Sequence, residues 1–131
     1  DYSLNDLAVA NDIAPYVRKY NTQTVAYSKR TSMAVASRLS SAGIQTTDMD
    51  GGIYAESCDR WLGAINSHRL QHSGQEELTQ QTLSAAKLPY GDGSWIIGRR
   101  ASRVAVCASV ATALVTYFAT QPETEIDIQI A

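Results

Sequence analysis

Residues 53–70 (IYAESCDRWLGAINSHRL) carry the clearest helical pattern of the chain. Cys58, Trp61, Leu62 and Ile65 stand at positions i, i+3, i+4 and i+7, a spacing that places them on one face of an α-helix. The opposite face is polar, so this segment predicts an amphipathic helix. We expect Trp61, Leu62 and Ile65 to be buried against a sheet.

Helices and strands alternate on both sides of this segment. Helical spacing predicts further helices over residues 4–20, 30–42, 74–86 and 104–119. Short β-branched or alternating stretches predict strands over 22–27, 44–49, 94–98 and 124–130. Pro15 is expected to break or restart the first helix, Gly43 to end the second, and Ser73 with Glu76 to form a capping box for the helix over 74–86. The alternation favours an α/β fold with some parallel pairing.

Length and composition place the chain among small globular proteins. Its 131 residues, 44% hydrophobic and 18% charged, predict one folded domain over 1–131. The apolar run over 104–119 is too short for a membrane span, and no basic and apolar leader opens the chain, so we expect a cytoplasmic protein without a membrane partner. Cys58 and Cys107 are expected to be buried core residues rather than a disulfide framework.

The net charge of -2 hides two basic zones. Residues 13–47 and residues 93–122 contain no carboxylate. If one side of the sheet brought these zones together, a DNA-binding patch would contain Lys29, Arg30, Arg99, Arg100 and Arg103. The alternative is that these cations only solvate the ends of helices.

Two pairs of residues have the spacing of a metal or catalytic site. His68 and His72 are four residues apart, as helical zinc ligands are, but a third ligand is missing, and surface histidines at a helix end are the favoured interpretation. Asp48 and Asp50 precede Gly51 and could flank a cation, although a polar turn is favoured. No catalytic residue, metal ligand or cofactor is assigned from these patterns.

A series of short segments matches a known pattern in order and spacing. It comprises WLGAI at 61–65, RL at 69–70, HSGQEEL at 72–78, DGSWII at 92–97, SR at 102–103 and ASVA at 108–111. Together with residues 20–44 upstream, these segments resemble the C-terminal nuclease domain of the terminase large subunits of tailed bacteriophages. The likeness covers roughly residues 13–119.

The resemblance implies a ribonuclease H-like fold that cuts concatemeric viral DNA during genome packaging with Mg²⁺ or Mn²⁺ held by acidic residues. Where the family has an aspartate at the end of a strand, this chain has Ser28, and where the final helix has another, it has Cys107. A hydroxyl and a thiol do not replace two carboxylates around a hard cation. Asp1 echoes the first acid of the family, but the hairpin strands that follow it there are missing here.

Three functional hypotheses follow from these features. The favoured one is a phage or prophage terminase-nuclease-like domain that has lost metal-dependent cleavage, needs no cofactor, and retains DNA binding or an assembly role in the bacterial cytoplasm. The second is a homo-oligomeric interaction module without DNA binding, in which a second chain completes the short sheet, or strand 124–130 pairs with that chain. The third is an active Mg²⁺- or Mn²⁺-dependent endonuclease with ligands drawn from Asp1, Asp48, Asp50 and Asp59.

Overall fold

The computed structural model describes residues 5–121, and in them the chain is mixed α/β with five helices and four strands. In chain order these elements are α1 (Asp6–Lys19), β1 (Val25–Tyr27), α2 (Lys29–Ser41), β2 (Thr46–Asp48), α3 (Gly52–Asn66), α4 (Glu76–Ser84), β3 (Ala86–Tyr90), β4 (Ser94–Gly98) and α5 (Cys107–Ala119). The prediction of a mixed α/β fold is confirmed. The predicted strand over 124–130 lies outside the described residues.

The chain divides into two compact units, Asp1–Tyr54 and Ala55–Ala131. Strands of the described residues pair only within a unit. In the first unit β1 and β2 are parallel, and in the second β3 and β4 are antiparallel. The expected single sheet with helices around it is therefore replaced, in residues 5–121, by two sheets of two strands each.

Side-chain and backbone caps define the helices of the first unit. The Asn5 side chain accepts hydrogen bonds from the backbone N–H groups of Leu7 and Ala8, at 3.1 and 3.3 Å, and so starts α1. The helix then continues through Pro15, which was expected to break or restart it. Proline removes one N–H from the helix and crowds the carbonyl four residues earlier, yet the residues on both sides of Pro15 remain helical.

Helix α2 ends where the sequence predicts. Gly43 has a φ of 82° and its N–H donates to the carbonyl of Ser40, while the N–H of Ile44 donates to the carbonyl of Leu39, both at 3.0 Å. This pair of bonds is the Schellman motif, which needs a left-handed residue that glycine supplies without strain. The chain then enters β2 beside β1.

Helix α3 contributes a stripe of buried residues to the core of the second unit. Ala55, Cys58, Trp61 and Ala64 follow one another at three-residue steps and are all buried, with Trp61 5% exposed. Burial of Trp61 is confirmed, whereas Leu62 and Ile65 are only half-buried. The two residues lie beside the buried stripe rather than at its centre.

The helix ends at Asn66, four residues before the predicted end. The N–H of Arg69 donates to the carbonyl of Ala64 at 2.9 Å, and that of His68 donates to Ile65 at 3.1 Å. His68 has a φ of 57° and occupies the left-handed position of a second Schellman motif. A histidine in the sequence does not indicate the end of a helix, whereas a glycine such as Gly43 does.

Helix α4 is followed at once by a hairpin. Its N-cap residue is Gln75 and forms no side-chain cap, so the expected capping box of Ser73 and Glu76 is not present. Residues 91–93 form the turn between β3 and β4, where Gly91 and Gly93 have φ values of 59° and 82°. The predicted turn and the predicted strand over 94–98 are confirmed, but β3 was not predicted, and its first residue, Ala86, is the last residue of the predicted helix.

Helix α5 begins at Cys107, three residues after the predicted start. It buries Val110, Ala113 and Leu114. Cys107 is exposed, which corrects the expectation that it belongs to the core, whereas Cys58 is buried as expected. Among the described residues no helix combines the length and the apolar character needed to cross a bilayer.

We expect Trp61→Ala to lower the free energy of unfolding by about 3–5 kcal/mol, because it removes a large buried side chain and leaves a cavity. Urea denaturation followed by circular dichroism measures the change. Leu83→Ala is the matched control, because Leu83 is 80% exposed and its truncation should change the free energy by less than about 0.5 kcal/mol. Equal, small effects of both substitutions would contradict the burial of this face of α3.

Candidate functional site

The parallel pairing of β1 and β2 brings polar residues to one edge of the first unit. Tyr27, the last residue of β1, is in register with Asp48, the last residue of β2. Ser28, Asp48 and Asp50 therefore lie at the carboxyl ends of adjacent strands. This edge is where α/β proteins usually place their ligands.

Hydrogen bonds join these residues to the start of α2. The Ser28 hydroxyl donates to Asp50 Oδ1 at 2.7 Å, and the Arg30 N–H donates to Asp50 Oδ2 at 3.0 Å. Asp48 Oδ1 accepts from the N–H of Lys29 at 3.3 Å and from the N–H of Asp50 at 3.0 Å. We call Ser28, Asp48 and Asp50, with the backbone of Lys29 and Arg30, the carboxylate cap.

The carboxylate cap supplies the hydrogen-bond acceptors that an N-cap side chain of α2 would otherwise provide. Ser28 is the N-cap residue of α2 but forms no side-chain cap bond to it, and the first turn of α2 contains no acid. The first N–H groups of a helix need acceptors, and negative charge at this end is favourable because of the helix dipole. Two carboxylates from the end of β2 meet both needs.

Met49 fixes the direction of the two carboxylates. It lies between them, is 2% exposed, and donates its N–H to the carbonyl of Tyr27 at 2.8 Å. Because side chains alternate along an extended backbone, burial of Met49 turns Asp48 and Asp50 the other way. The turn continues through Gly51, whose φ is 82°.

The other proposed metal ligands do not belong to the described part of the first unit. Asp59 belongs to the second unit, where its carboxylate accepts from the indole N–H of Trp95 at 3.3 Å. Cys107, the second position at which the family has an acid, is also in the second unit. Within residues 5–121 no group of three or more His, Cys, Asp or Glu side chains could hold a metal ion. Asp1 lies outside the described residues.

The five predicted DNA-binding residues are divided between the units. Lys29 and Arg30 are exposed at the start of α2, and their backbone N–H groups already contact the carboxylate cap. Arg99, Arg100 and Arg103 are exposed in the second unit, in the loop between β4 and α5. We call these three residues the arginine loop.

Ser102 anchors the arginine loop to the hairpin. Its N–H and its hydroxyl both donate to the carbonyl of Gly98, and its oxygen accepts from the N–H of Ala86 at 2.9 Å. The loop leads into α5, whose N-cap residue Val106 has no side-chain cap. The Gln81 amide oxygen accepts from Ala108 N–H at 2.8 Å. The three guanidinium groups are thus carried by a five-residue segment, 99–103, that hydrogen bonds of Ser102 hold to the hairpin.

His68 and His72 do not form the helical pair that their spacing suggested, because α3 ends at Asn66. Both are exposed in the loop between α3 and α4. His72 Nδ1 accepts from the N–H of Gly74 at 3.1 Å. Both residues line a cleft in the second unit that the sequence pattern did not indicate.

Comparison of the chain with protein-family models, curated proteins and solved structures found no match.

The bond between Ser28 and Asp50 should be measurable as a coupling energy. Ser28→Ala and Asp50→Ala should each destabilise the first unit, and a double-mutant cycle should give a coupling of about 1–3 kcal/mol, as expected for a hydrogen bond to a charged group. Urea denaturation gives the four stabilities. Asp12→Ala, on the exposed surface of α1, is the control and should cost less than about 0.5 kcal/mol. A coupling of zero would show that Asp50 does not hold Ser28.

Proposed function

We propose that this chain is a terminase-nuclease-like domain of bacteriophage or prophage origin, with a reduced ribonuclease H-like fold, that binds duplex DNA without cleaving it. It would act in the cytoplasm of the bacterial host during DNA packaging. The observation that carries the binding proposal is the arginine loop, Arg99, Arg100 and Arg103, exposed just before α5.

The charge around the arginine loop supports contact with phosphates. Residues 93–122 contain no carboxylate, so the segment around the three guanidinium groups contributes no negative charge of its own. The first turn of α5 contains no acid either, and the positive end of the helix dipole adds to the local potential. Guanidinium groups bind phosphate oxygens in a bidentate geometry. Such contacts carry no base information, so binding would be independent of sequence.

Only the side chains of Lys29 and Arg30 are available to contact phosphates. Their N–H groups bond to Asp48 and Asp50, so two negative charges lie beside these two cations. A phosphate approaching the start of α2 would meet those carboxylates as well. The arginine loop is therefore the main part of the proposed DNA-binding surface.

The carboxylate cap supports the loss of cleavage. Metal-dependent cleavage needs several carboxylates free to bind cations and activate water. Asp50 accepts hydrogen bonds at both of its oxygens, and one of them comes from Ser28, which stands where the family has an aspartate. The hydroxyl of Ser28 donates to Asp50, whereas an ionised aspartate at position 28 would have no proton to donate and, without a bound cation, would repel Asp50.

We expect the purified protein to leave supercoiled plasmid intact in the presence of Mg²⁺ or Mn²⁺, because Asp48 and Asp50 cap α2 and the described residues contain no cluster of acids that could hold a metal ion. Agarose gel electrophoresis separates nicked from supercoiled DNA. Nicking that depends on the metal and disappears in both Asp48→Asn and Asp50→Asn would instead establish the active endonuclease. Nicking that persists in both variants would not come from this edge of the first unit.

We expect weak binding of a random-sequence duplex, measured by fluorescence anisotropy, that weakens steeply with salt. Each neutralised phosphate releases about 0.9 of a counterion, so Arg100→Glu with Arg103→Glu should lower both the affinity and the slope against salt concentration. Arg18→Glu with Lys19→Glu is the matched control. It removes the same charge from the exposed end of α1, outside the proposed surface.

Equal losses in the two double variants would show that only the total charge matters and would contradict a site at the arginine loop. No binding at low salt by the folded wild-type protein would favour the interaction module. Sedimentation velocity would then be expected to show a homo-oligomer.

A further inference from the structure

The second unit contains a cleft of about 440 Å³, lined by the last turns of α3, the loop over 67–72, α4 and one residue of α5. This volume lies in the range of small-molecule sites, about 300–1,000 Å³. The arginine loop does not line it. A ligand here would therefore be independent of the proposed DNA binding.

Apolar side chains form most of the cleft. Trp61 is buried, Ile65, Leu70 and Leu78 are half-buried, and Leu83 is 80% exposed, and all five line the cleft. An apolar ligand in the cleft would cover the Leu83 side chain. Covering apolar surface contributes about 25 cal/mol per Å² to binding.

The threonines that line the cleft have their hydroxyl groups engaged. Thr112 donates to the carbonyl of Ala108 at 2.7 Å, and Thr79 donates to that of Gln75 at 3.4 Å. Thr82 and Ser109 share a hydrogen bond at 3.1 Å. The other polar groups in the lining are the two imidazoles, the amide of Gln71 and the indole N–H of Trp61.

These groups offer N–H donors. Among the described residues that line the cleft none is Asp, Glu, Lys or Arg, and the ionisable ones are His68 and His72, which are neutral or positive but never negative. His72 Nδ1 accepts from Gly74 N–H, so the neutral ring carries its proton on Nε2 and presents an N–H donor there. The electrostatic complement of such a lining is an anionic acceptor.

We propose that this cleft binds a small amphipathic carboxylate, whose apolar body packs on Trp61, Leu78 and Leu83 and whose carboxylate accepts hydrogen bonds from His72 and His68. The left-handed backbone at His68 ends α3 and starts the loop that carries both imidazoles. Without that turn the two rings would continue along the helix.

The two tryptophans allow a direct test with 2-naphthoate as the probe. In protein labelled with 5-fluorotryptophan, ¹⁹F NMR should give two resonances, which Trp95→Phe assigns. Trp61 lines the cleft, whereas Trp95 contacts Asp59 and Lys87 elsewhere. We expect saturable movement of the Trp61 resonance and none at Trp95. Equal movement of both resonances, or of neither, overturns the proposal.

Matched variants test the apolar body and the carboxylate. Leu83→Asp places an acid in the cleft and should weaken 2-naphthoate binding at least about tenfold, whereas Val115→Asp, at an exposed position of α5 outside the cleft, should not change it. His72→Gln should weaken 2-naphthoate several-fold. The neutral 2-naphthamide should bind at least about tenfold more weakly than 2-naphthoate.

Equal effects of Leu83→Asp and Val115→Asp would show adventitious apolar binding only and overturn the site. Equal affinities for 2-naphthoate and 2-naphthamide would contradict recognition of the carboxylate. Thermal melts of all variants establish that they fold.

Discussion

Three consecutive residues of α3 form hydrogen bonds to β4 and to the end of α5. They are Cys58, Asp59 and Arg60. Cys58 Sγ accepts from the N–H of Ile97 at 3.5 Å, and Asp59 accepts from the indole of Trp95, so two residues hold β4. Arg60 donates to the carbonyl and hydroxyl oxygens of Thr120 at 3.0 and 3.1 Å and thereby holds the end of α5. A hairpin of two strands is marginally stable alone, so β3 and β4 depend on this helix. The arginine loop begins where β4 ends, and its position depends on the same contacts.

In the first unit, charged side chains stabilise the junction between the small sheet and a helix. Its sheet has two short strands, and α2 opens with Lys29 and Arg30, cations at the end of the helix where the dipole disfavours them. Acids in that turn would be the usual remedy, but here Asp48 and Asp50 come from the end of β2, about twenty residues later in the chain. The parallel register of β1 and β2 is thus coupled to the start of α2, because a one-residue slip would move both carboxylates.

The sequence predicted elements whose signals are local. Gly43 ended α2 because a left-handed residue was needed and glycine was present, and Trp61 was buried because it lies in the apolar stripe of α3. The end of α3 was predicted wrongly because His68 adopts the same backbone conformation without a local signal. Strand β3 was missed because Lys87 and Pro89 interrupt its pattern and it is mostly exposed, so its pairing partner defines it. The carboxylate cap and the cleft depend on contacts between distant residues, which periodicity does not contain.

Helices α2 and α5 show why charge counted along the sequence is a poor measure of a binding surface. Residues 13–47 contain five cations and no acid, and residues 93–122 contain three cations and no acid, so the first zone has the larger charge by count. In the folded first unit, Asp48 and Asp50 return to the start of α2 and offset Lys29 and Arg30. At α5 the neutral amide of Gln81 serves the first turn instead, and it adds a dipole without adding negative charge. An approaching phosphate responds to the local potential. The zone with fewer cations is therefore the one whose positive charge stays uncompensated by its own helix cap.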